Sequence, residues 1–145
     1  MSRLGFLRPG QEQTVGQVLR GKDGSLPALV HTHPNETIAD AVAILREYKV
    51  SQLPVVRAEP PIMAAEVAGA VSERALLEGL YTGAAQLADR VEQHMEEQLP
   101  TVGAGEPIAI AVNALEEADA VIVHEDGAPV GVLTRVDLLD YIAGA

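Results

Sequence analysis

Two stretches of the chain place apolar residues at positions i, i+3, i+4 and i+7, a spacing that puts them on one face of a helix. They are Ile38, Ala41, Val42 and Leu45 in the first stretch, and Ile108, Ala111, Val112 and Leu115 in the second. Asn35 is the predicted cap of the first helix, which Lys49 ends, and Pro107 lies near the first turn of the second. The pattern therefore predicts two amphipathic helices.

Short apolar runs between turn residues predict the strands of the protein. These runs cover residues 29–32, 53–56, 66–71, 100–102, 120–123 and 129–133. Asp126-Gly127 separates the last two runs, and an Asp-Gly pair in this position is typical of a tight hairpin turn.

Four further helices are predicted along the chain. Two are short and cover residues 14–19, with Thr14 as the cap, and 87–95. The other two follow strands directly and are capped by Ser72 and Thr134. Their predicted buried faces are Leu76, Leu77 and Leu80 in one, and Leu138, Leu139 and Ile142 in the other.

The order of elements occurs twice, which is the most informative feature of the chain. The segment 69–77 (GAVSERALL) aligns with 131–139 (GVLTRVDLL), and 36–38 aligns with 106–108. Units of order β-α-β-β-α and this size are too small to fold alone, so we expect them to pack about a pseudo-twofold axis. The predicted fold is α/β (α+β), with an N-terminal tail over 1–13, a first repeat over 14–82 and a second over 83–145.

Composition and charge exclude several classes of function. The chain of 145 residues has 10 Lys and Arg against 21 Asp and Glu, a formal net charge of −11. Such a surface repels phosphate backbones and anionic membranes, so neither nucleic acid nor membrane is an expected partner. No stretch approaches the roughly 18 apolar residues of a spanning helix. With zero cysteines and no signal peptide, the expected location is cytoplasmic, and thiol catalysis and Cys-based zinc sites are excluded.

The motif that ends each repeat resembles that of a CBS-domain pair, or Bateman module. The segment 131–139 matches the pattern Gly-x-apolar-Thr/Ser-x-x-Asp-Leu-Leu at every position. Segments 5–7, 14–20, 29–34, 44–48 and 51–56 are also similar to the C-terminal regulatory region of bacterial cystathionine β-synthase. The resemblance implies a regulatory module with no cofactor of its own, whose pyridoxal-phosphate catalytic domain is absent from this chain. It also implies a homodimer formed through the helices of the repeats.

In this family adenosyl ligands bind in clefts between the repeats, and the resemblance assigns the ligand-binding residues. Asp137 would accept hydrogen bonds from both ribose hydroxyls, and Thr134 would offer its hydroxyl and the free N–H groups of a helix start to a phosphate or carboxylate. Leu133 and Val136 would flank the adenine. The opposite wall would consist of Val50, Ser51, Gln52 and Leu53, with His31 and Thr32 on the preceding strand.

S-adenosylmethionine is the favoured ligand, with AMP or ATP as alternatives. A nucleotide brings several negative charges to an acidic chain, whereas S-adenosylmethionine carries a sulfonium and an ammonium against one carboxylate. Only one site per chain is expected, because Ala75 stands where the equivalent carboxylate of the first repeat should be, and the second repeat is shortened near 118–120.

Other interpretations of the same residues stay open. Thr134 and Asp137 also fit a helix cap with a first-turn charge, and the apolar candidates also fit core positions. A structural dimerisation module without a ligand is the main alternative function. His31 and His33 fall on one face of a strand and could bind Zn or Ni, although no third ligand is evident. Ser72 with Glu73, or Ser51 with His31, could be drawn as a hydrolase pair, but no Gly-x-Ser-x-Gly turn is present.

Overall fold

The computed structural model describes residues 13–21, 29–57 and 66–144. The predicted tail, apart from residue 13, lies outside the described residues, as do the loop at 22–27 and residues 58–65. In chain order the elements are α1 (Val15–Arg20), α2 (Ile38–Tyr48), β1 (Gln52–Val56), β2 (Val67–Ser72), α3 (Glu73–Thr82), a short 3₁₀ helix (Val91–Gln93), β3 (Thr101–Gly103), α4 (Ile108–Ala114), β4 (Ala120–Glu125), β5 (Ala128–Thr134) and α5 (Arg135–Gly144).

The strands form two sheets with the same order of pairing. In the first lobe (the segment around Thr32, α2, β1, β2 and α3), β1 pairs antiparallel with β2, and Thr32 makes a parallel bridge to Val55. In the second lobe (β3, α4, β4, β5 and α5), β3 pairs parallel with β4, which pairs antiparallel with β5. The predicted β-α-β-β-α repeat is confirmed, with a single bridge at Thr32 in place of the strand predicted at 29–32.

Local sequence accounts for the limits of α2. The Thr37 hydroxyl accepts a hydrogen bond from the Asp40 N–H, and the Asp40 carboxylate accepts one from the Thr37 N–H, both at 3.1 Å. This reciprocal cap satisfies two N–H groups that have no partner inside the helix. Asn35 is therefore not the cap, because Thr37 is the extended residue that directly precedes the helix. Lys49 ends the helix in the left-handed conformation, with φ 54°.

The hairpin between β4 and β5 turns at the predicted dipeptide. Asp126 and Gly127 have φ angles of 53° and 81°. Positive φ at both central residues matches the right-handed twist of the flanking strands. The Asp-Gly signal is confirmed, and it sets the pairing of the two strands that lead into α5.

Each lobe takes its leading segment from the other half of the sequence. Val15 and Val18 of α1 are buried in the core of the second lobe, with Val102 and Ala111. Val91, which precedes the second lobe in sequence, is buried in the core of the first. The repeat boundaries at 14–82 and 83–145 stay a prediction, but in space the two repeats are interlocked.

A third cluster joins the two sheets directly. Val56 and Val67 of the first lobe pack with Ile122 of the second, and Leu29 closes the cluster. Leu99 and Val132 pack against its edge. This apolar contact holds the two lobes together.

Two expectations about helices are wrong. Residues 87–95 contain turns and a short 3₁₀ helix, because their backbone bonds to the first lobe: Ile38 N–H donates to the Asp89 carbonyl and Val91 N–H to the Glu36 carbonyl. Four apolar side chains predicted to be buried are exposed, since the lobes cover only the rows containing Leu76, Ala111 and Leu138; these are Leu77, Val112, Leu139 and Ile142. Within the described ranges, no helix has the length and apolar character needed to cross a membrane.

Candidate functional site

Thr134 and Asp137 form a reciprocal pair at the start of α5. The Thr134 N–H donates to Asp137 Oδ2 at 2.9 Å, and the Thr134 hydroxyl lies 3.2 Å from the same oxygen. The Asp137 N–H donates to Thr134 Oγ1 at 3.3 Å. The predicted cap is therefore confirmed, and both side chains are only half-buried. The carboxylate is held at the positive end of a helix, where the dipole favours a negative charge.

The two apolar neighbours of this pair differ in their surroundings. The Leu133 side chain has no exposed surface and belongs to the core of the second lobe. Val136 is 62% exposed, so its side chain is accessible beside the Thr134–Asp137 pair. Their predicted role as walls for an adenine stays a prediction; only Val136 presents a free apolar surface.

The candidates around Thr32 are engaged in structural contacts. Thr32 is fully buried, and its hydroxyl donates to Glu36 Oε1 at 2.7 Å. His31 is half-buried, with Nδ1 3.0 Å from the Leu29 carbonyl. These contacts orient the two side chains before any ligand is present, and a ligand role for either one stays a prediction.

The segment 50–53 runs from the end of α2 into β1 and is partly accessible. Val50 and Gln52 are half-buried, Ser51 is exposed, and Leu53 is fully buried in the first-lobe core. The Ser51 carbonyl accepts from the Glu73 N–H at 2.9 Å, which ties this segment to the start of α3. The predicted wall therefore offers Ser51, Val50 and Gln52 to solvent, whereas the Leu53 side chain is enclosed.

A cleft of about 440 Å³ contains Ala75, at the position equivalent to Asp137. We call it the Ala75 cleft; Gln52, Ser72, Leu99 and Asp119 also line it. Gln52, which was predicted to lie opposite Asp137, lines this cleft. Ser72 caps α3 by accepting from the Ala75 N–H at 3.1 Å, as predicted. With a methyl group in place of the carboxylate, α3 offers no acceptor for ribose hydroxyls at residue 75.

An ion-pair network that no local sequence pattern predicts borders the same cleft. Asp119 accepts from Arg74 at 2.8 Å through Oδ2 and from Arg135 at 3.2 Å through Oδ1. The hydrogen bond from Arg135 is the main reason that the pKa of Asp119 lies below its usual value; the contacts to Arg74 also lower it and burial opposes the shift. Arg74 and Arg135 follow the caps of their helices in sequence, which is the one signal that pointed to them.

The two histidines proposed as metal ligands do lie together. The ring centroids of His31 and His33 are 4.9 Å apart, with the planes at 89°. His33 Nδ1 is 2.8 Å from the Val56 carbonyl, as His31 Nδ1 is close to the Leu29 carbonyl. Among residues 13–21, 29–57 and 66–144, no group of three or more His, Cys, Asp or Glu side chains is placed to hold a metal ion.

Comparisons with known proteins agree on one family. A family model described as CBS domain matches residues 25–81 and 91–144. A solved CBS-domain protein from Burkholderia ambifaria is 22% identical, with a TM-score of 0.74 over 91% of this chain and 95% of that one. A CBS domain protein from Pyrobaculum aerophilum, complexed with AMP, is 20% identical, with a TM-score of 0.72 over 92% of this chain and 100% of that one.

A third solved structure carries metal. Hypoxic Response Protein I, with two coordinated zinc ions, is 16% identical and has a TM-score of 0.68 over 89% of this chain and 98% of that one. At these identities the structural matches show a shared fold, and the ligands named for those proteins belong to those proteins.

Proposed function

Because this chain belongs to the CBS domain family, whose paired domains are typically regulatory modules that sense a ligand, we propose that it senses an adenosyl ligand at the Asp137 site. The proposal is supported by the difference between the two equivalent helix starts. Asp137 is a half-buried carboxylate at the start of α5, and Ala75 occupies the same position of α3. One chain would therefore bind one ligand.

The chemistry of the Asp137 site suits an adenosyl group. A carboxylate presents two acceptor oxygens and can bind two neighbouring ribose hydroxyls. Val136 offers an apolar surface for the base. The start of α5 provides backbone N–H groups and a positive dipole end for an anionic group of the ligand. Ligand binding would compete with the cap, since the Thr134 hydroxyl and N–H now contact Asp137.

Two adenosyl compounds are candidates for the ligand of the Asp137 site. S-adenosylmethionine is favoured by the net charge of −11 and by the similarity of the first half to the regulatory region of cystathionine β-synthase. AMP is supported by the complex of the similar protein from Pyrobaculum aerophilum. The two ligands share the adenosine that Asp137 would bind, and they differ in the charge of the group attached to the ribose.

Calorimetric titration with S-adenosylmethionine, AMP and ATP tests the proposal. At least one is expected to bind at one site per chain, and Asp137→Asn should weaken binding at least tenfold, because the amide keeps one acceptor oxygen instead of two. Asp140→Asn is the matched control, because Asp140 is exposed on the same helix. This variant should bind the adenosyl compound with the affinity of the wild type. Binding that is unchanged in Asp137→Asn would refute the site assignment, and no binding of any of the three would refute the function.

In this proposal the ligand signals to a catalytic domain of the pyridoxal-phosphate type. A ligand at the start of α5 that also contacted the first lobe would stabilise one relative orientation of the lobes. It can shift that equilibrium only by the difference in its affinity for the two orientations. An attached catalytic domain would then respond through the surface of the lobes.

A dimerisation module without a ligand is the second candidate function. The observation in its favour is the row of exposed apolar side chains on α3 and α5, which includes Leu77 and Leu139, 69% and 64% exposed. Large exposed apolar patches are typical of protein interfaces. We expect a homodimer that Leu77→Glu with Leu139→Glu converts to monomers in sedimentation analysis. Dimers that bind none of the three adenosyl compounds would favour this second candidate, and a monomeric wild type would refute the homodimer.

A further inference from the structure

Asp119 lies between two arginines that belong to different lobes. Arg74 is in the first turn of α3 in the first lobe, and Arg135 is the first residue of α5 in the second. Each arginine binds a different oxygen of the carboxylate, Arg74 at Oδ2 and Arg135 at Oδ1. A single carboxylate therefore connects the starts of the two equivalent helices.

Arg135 also donates hydrogen bonds to two backbone carbonyls, in addition to its contact with Asp119. Its Nε donates to the Leu115 carbonyl and its Nη2 to the Ala118 carbonyl, each at 2.9 Å. The guanidinium thus binds one carbonyl at the cap that ends α4 and a second in the turn that follows the helix. Because of these bonds, the turn between α4 and β4, including Asp119, is fixed to the start of α5.

Arg135 also directly follows Thr134, the cap of α5. The hydrogen bonds of Thr134 to Asp137 define the start of this helix. A ligand that took over bonds of this pair would act on the residue that directly precedes Arg135, and Arg135 in turn contacts Asp119.

The contact from Asp119 to Arg74 is the exchangeable part of the network. The Arg74 side chain is 82% exposed, and exposed ion pairs are weak and screened by salt. Both residues of the pair line the Ala75 cleft, together with Ala75. A weak pair between lobes can open and close in response to a small displacement, whereas the apolar cluster of Val56, Val67 and Ile122 keeps the lobes together.

We infer that Arg135, Asp119 and Arg74 form a relay that couples occupancy of the Asp137 site to the start of α3 and the Ala75 cleft in the other lobe. The relay depends on the proposed function for the ligand that acts at the Asp137 site. The connection between the lobes depends on the ion-pair geometry alone. The Ala75 cleft has no carboxylate at residue 75, and it is the place in the first lobe where the effect of the ligand would appear.

Amide chemical shifts in NMR spectra of the full chain test the relay. The reporters are the N–H groups of Glu73 and Ala75, which start α3 and bond to Ser51 and Ser72. With saturating AMP, and separately with S-adenosylmethionine, both reporters should shift in the wild type. In Arg74→Gln and Asp119→Asn the shift changes should fall by at least half, because the charged link is removed. Shift changes as large as in the wild type would overturn the relay.

Arg90→Gln is the matched control for these variants. Arg90 is an exposed arginine that pairs with Glu92 at 3.6 Å, away from the Asp119 network. In this variant the amides of Glu73 and Ala75 should shift on addition of ligand as they do in the wild type. A loss of these shifts would show that removal of any arginine has the same effect, and it would overturn the relay. High salt should reduce the response in the wild type, since the exposed pair is screened.

The failure of the proposed function can be told apart from the failure of the relay. If no adenosyl compound binds, the function fails, and the path of the relay is judged without ligand. Asp119→Asn must then shift amides both at the start of α5 and at Glu73 and Ala75. Changes confined to α5 and the turn before β4 would overturn the relay, because they would show that Asp119 does not act on the first lobe.

Discussion

Replacing Val91 by alanine tests the interlocking of the two repeats. Val91 follows the first repeat in sequence and is fully buried in the core of the first lobe, in the cluster of Ile38, Leu53 and Val71. The substitution removes two methyl-sized groups, about 0.8 kcal/mol each for transfer, and leaves a cavity in a core that cannot fully collapse. We expect a loss of about 2–3 kcal/mol in the free energy of unfolding, or roughly 5–10 °C in Tm for a chain of this length.

Urea denaturation followed by circular dichroism measures this loss. The matched control is Leu87→Ala, in the same connecting segment, where the side chain is 53% exposed. A surface substitution of this kind typically changes stability by no more than about 0.5 kcal/mol. Both variants should unfold in one transition, because the leading segments of each repeat belong to the core of the other lobe.

Two results would refute this reasoning. Equal losses for Val91→Ala and Leu87→Ala would mean that the connecting segment contributes nothing to the first core. Two separate unfolding transitions in the wild type would mean that the lobes fold independently. Hydrogen exchange adds a location to the loss: Val91→Ala should speed exchange first in α2 and β1, and Val15→Ala should do so first in β4, because Val15 is in the second core.

Three further predictions concern single positions. Gly69→Ala should destabilise the fold by about 1–3 kcal/mol in urea denaturation, because a Cβ there would lie 2.5 Å from the Glu96 carbonyl oxygen; an unchanged midpoint would contradict this packing. Lys49→Gly should raise stability by roughly 0.5–1 kcal/mol, since the left-handed end of α2 favours glycine; a loss of stability would contradict the assigned conformation. The pKa of Asp89 lies below its ordinary value of 3.8, first because of the hydrogen bond from His94. Its carboxylate therefore contributes stability that is present above pH 3.8 and is lost as pH falls through the lowered pKa; an NMR titration should give a higher pKa in His94→Ala, and equal values would contradict the pairing.

Much of the candidate site followed from local sequence. Thr134 and Asp137 lie three residues apart at a helix start, and their reciprocal hydrogen bonds depend only on that spacing. Ser72 and Ala75 hold the same positions in the first repeat, so the absence of the second carboxylate could be read directly.

The Asp119 network could not be predicted in the same way. Asp119 and Arg135 are 16 residues apart and Asp119 and Arg74 are 45 apart, with β-strands between them. Nothing in a local pattern states which charged side chain reaches which turn when two lobes pack. The placement of Gln52 on the wall of the Ala75 cleft has the same origin, since it depends on how β1 faces the second lobe.

By itself the sequence determined the repeat, the type of the elements other than those at 29–32 and 87–95, the hairpin turn and the caps at Ser72 and Thr134. These features rest on contacts between residues close in the chain, where spacing and residue type decide the outcome. Tertiary structure alone decided that Val15 and Val91 exchange lobes, that Leu77 and Leu139 remain exposed, and that Asp119 joins α3 to α5. Those features depend on which apolar surfaces cover one another, and burial is a property of the packed lobes that no single segment carries.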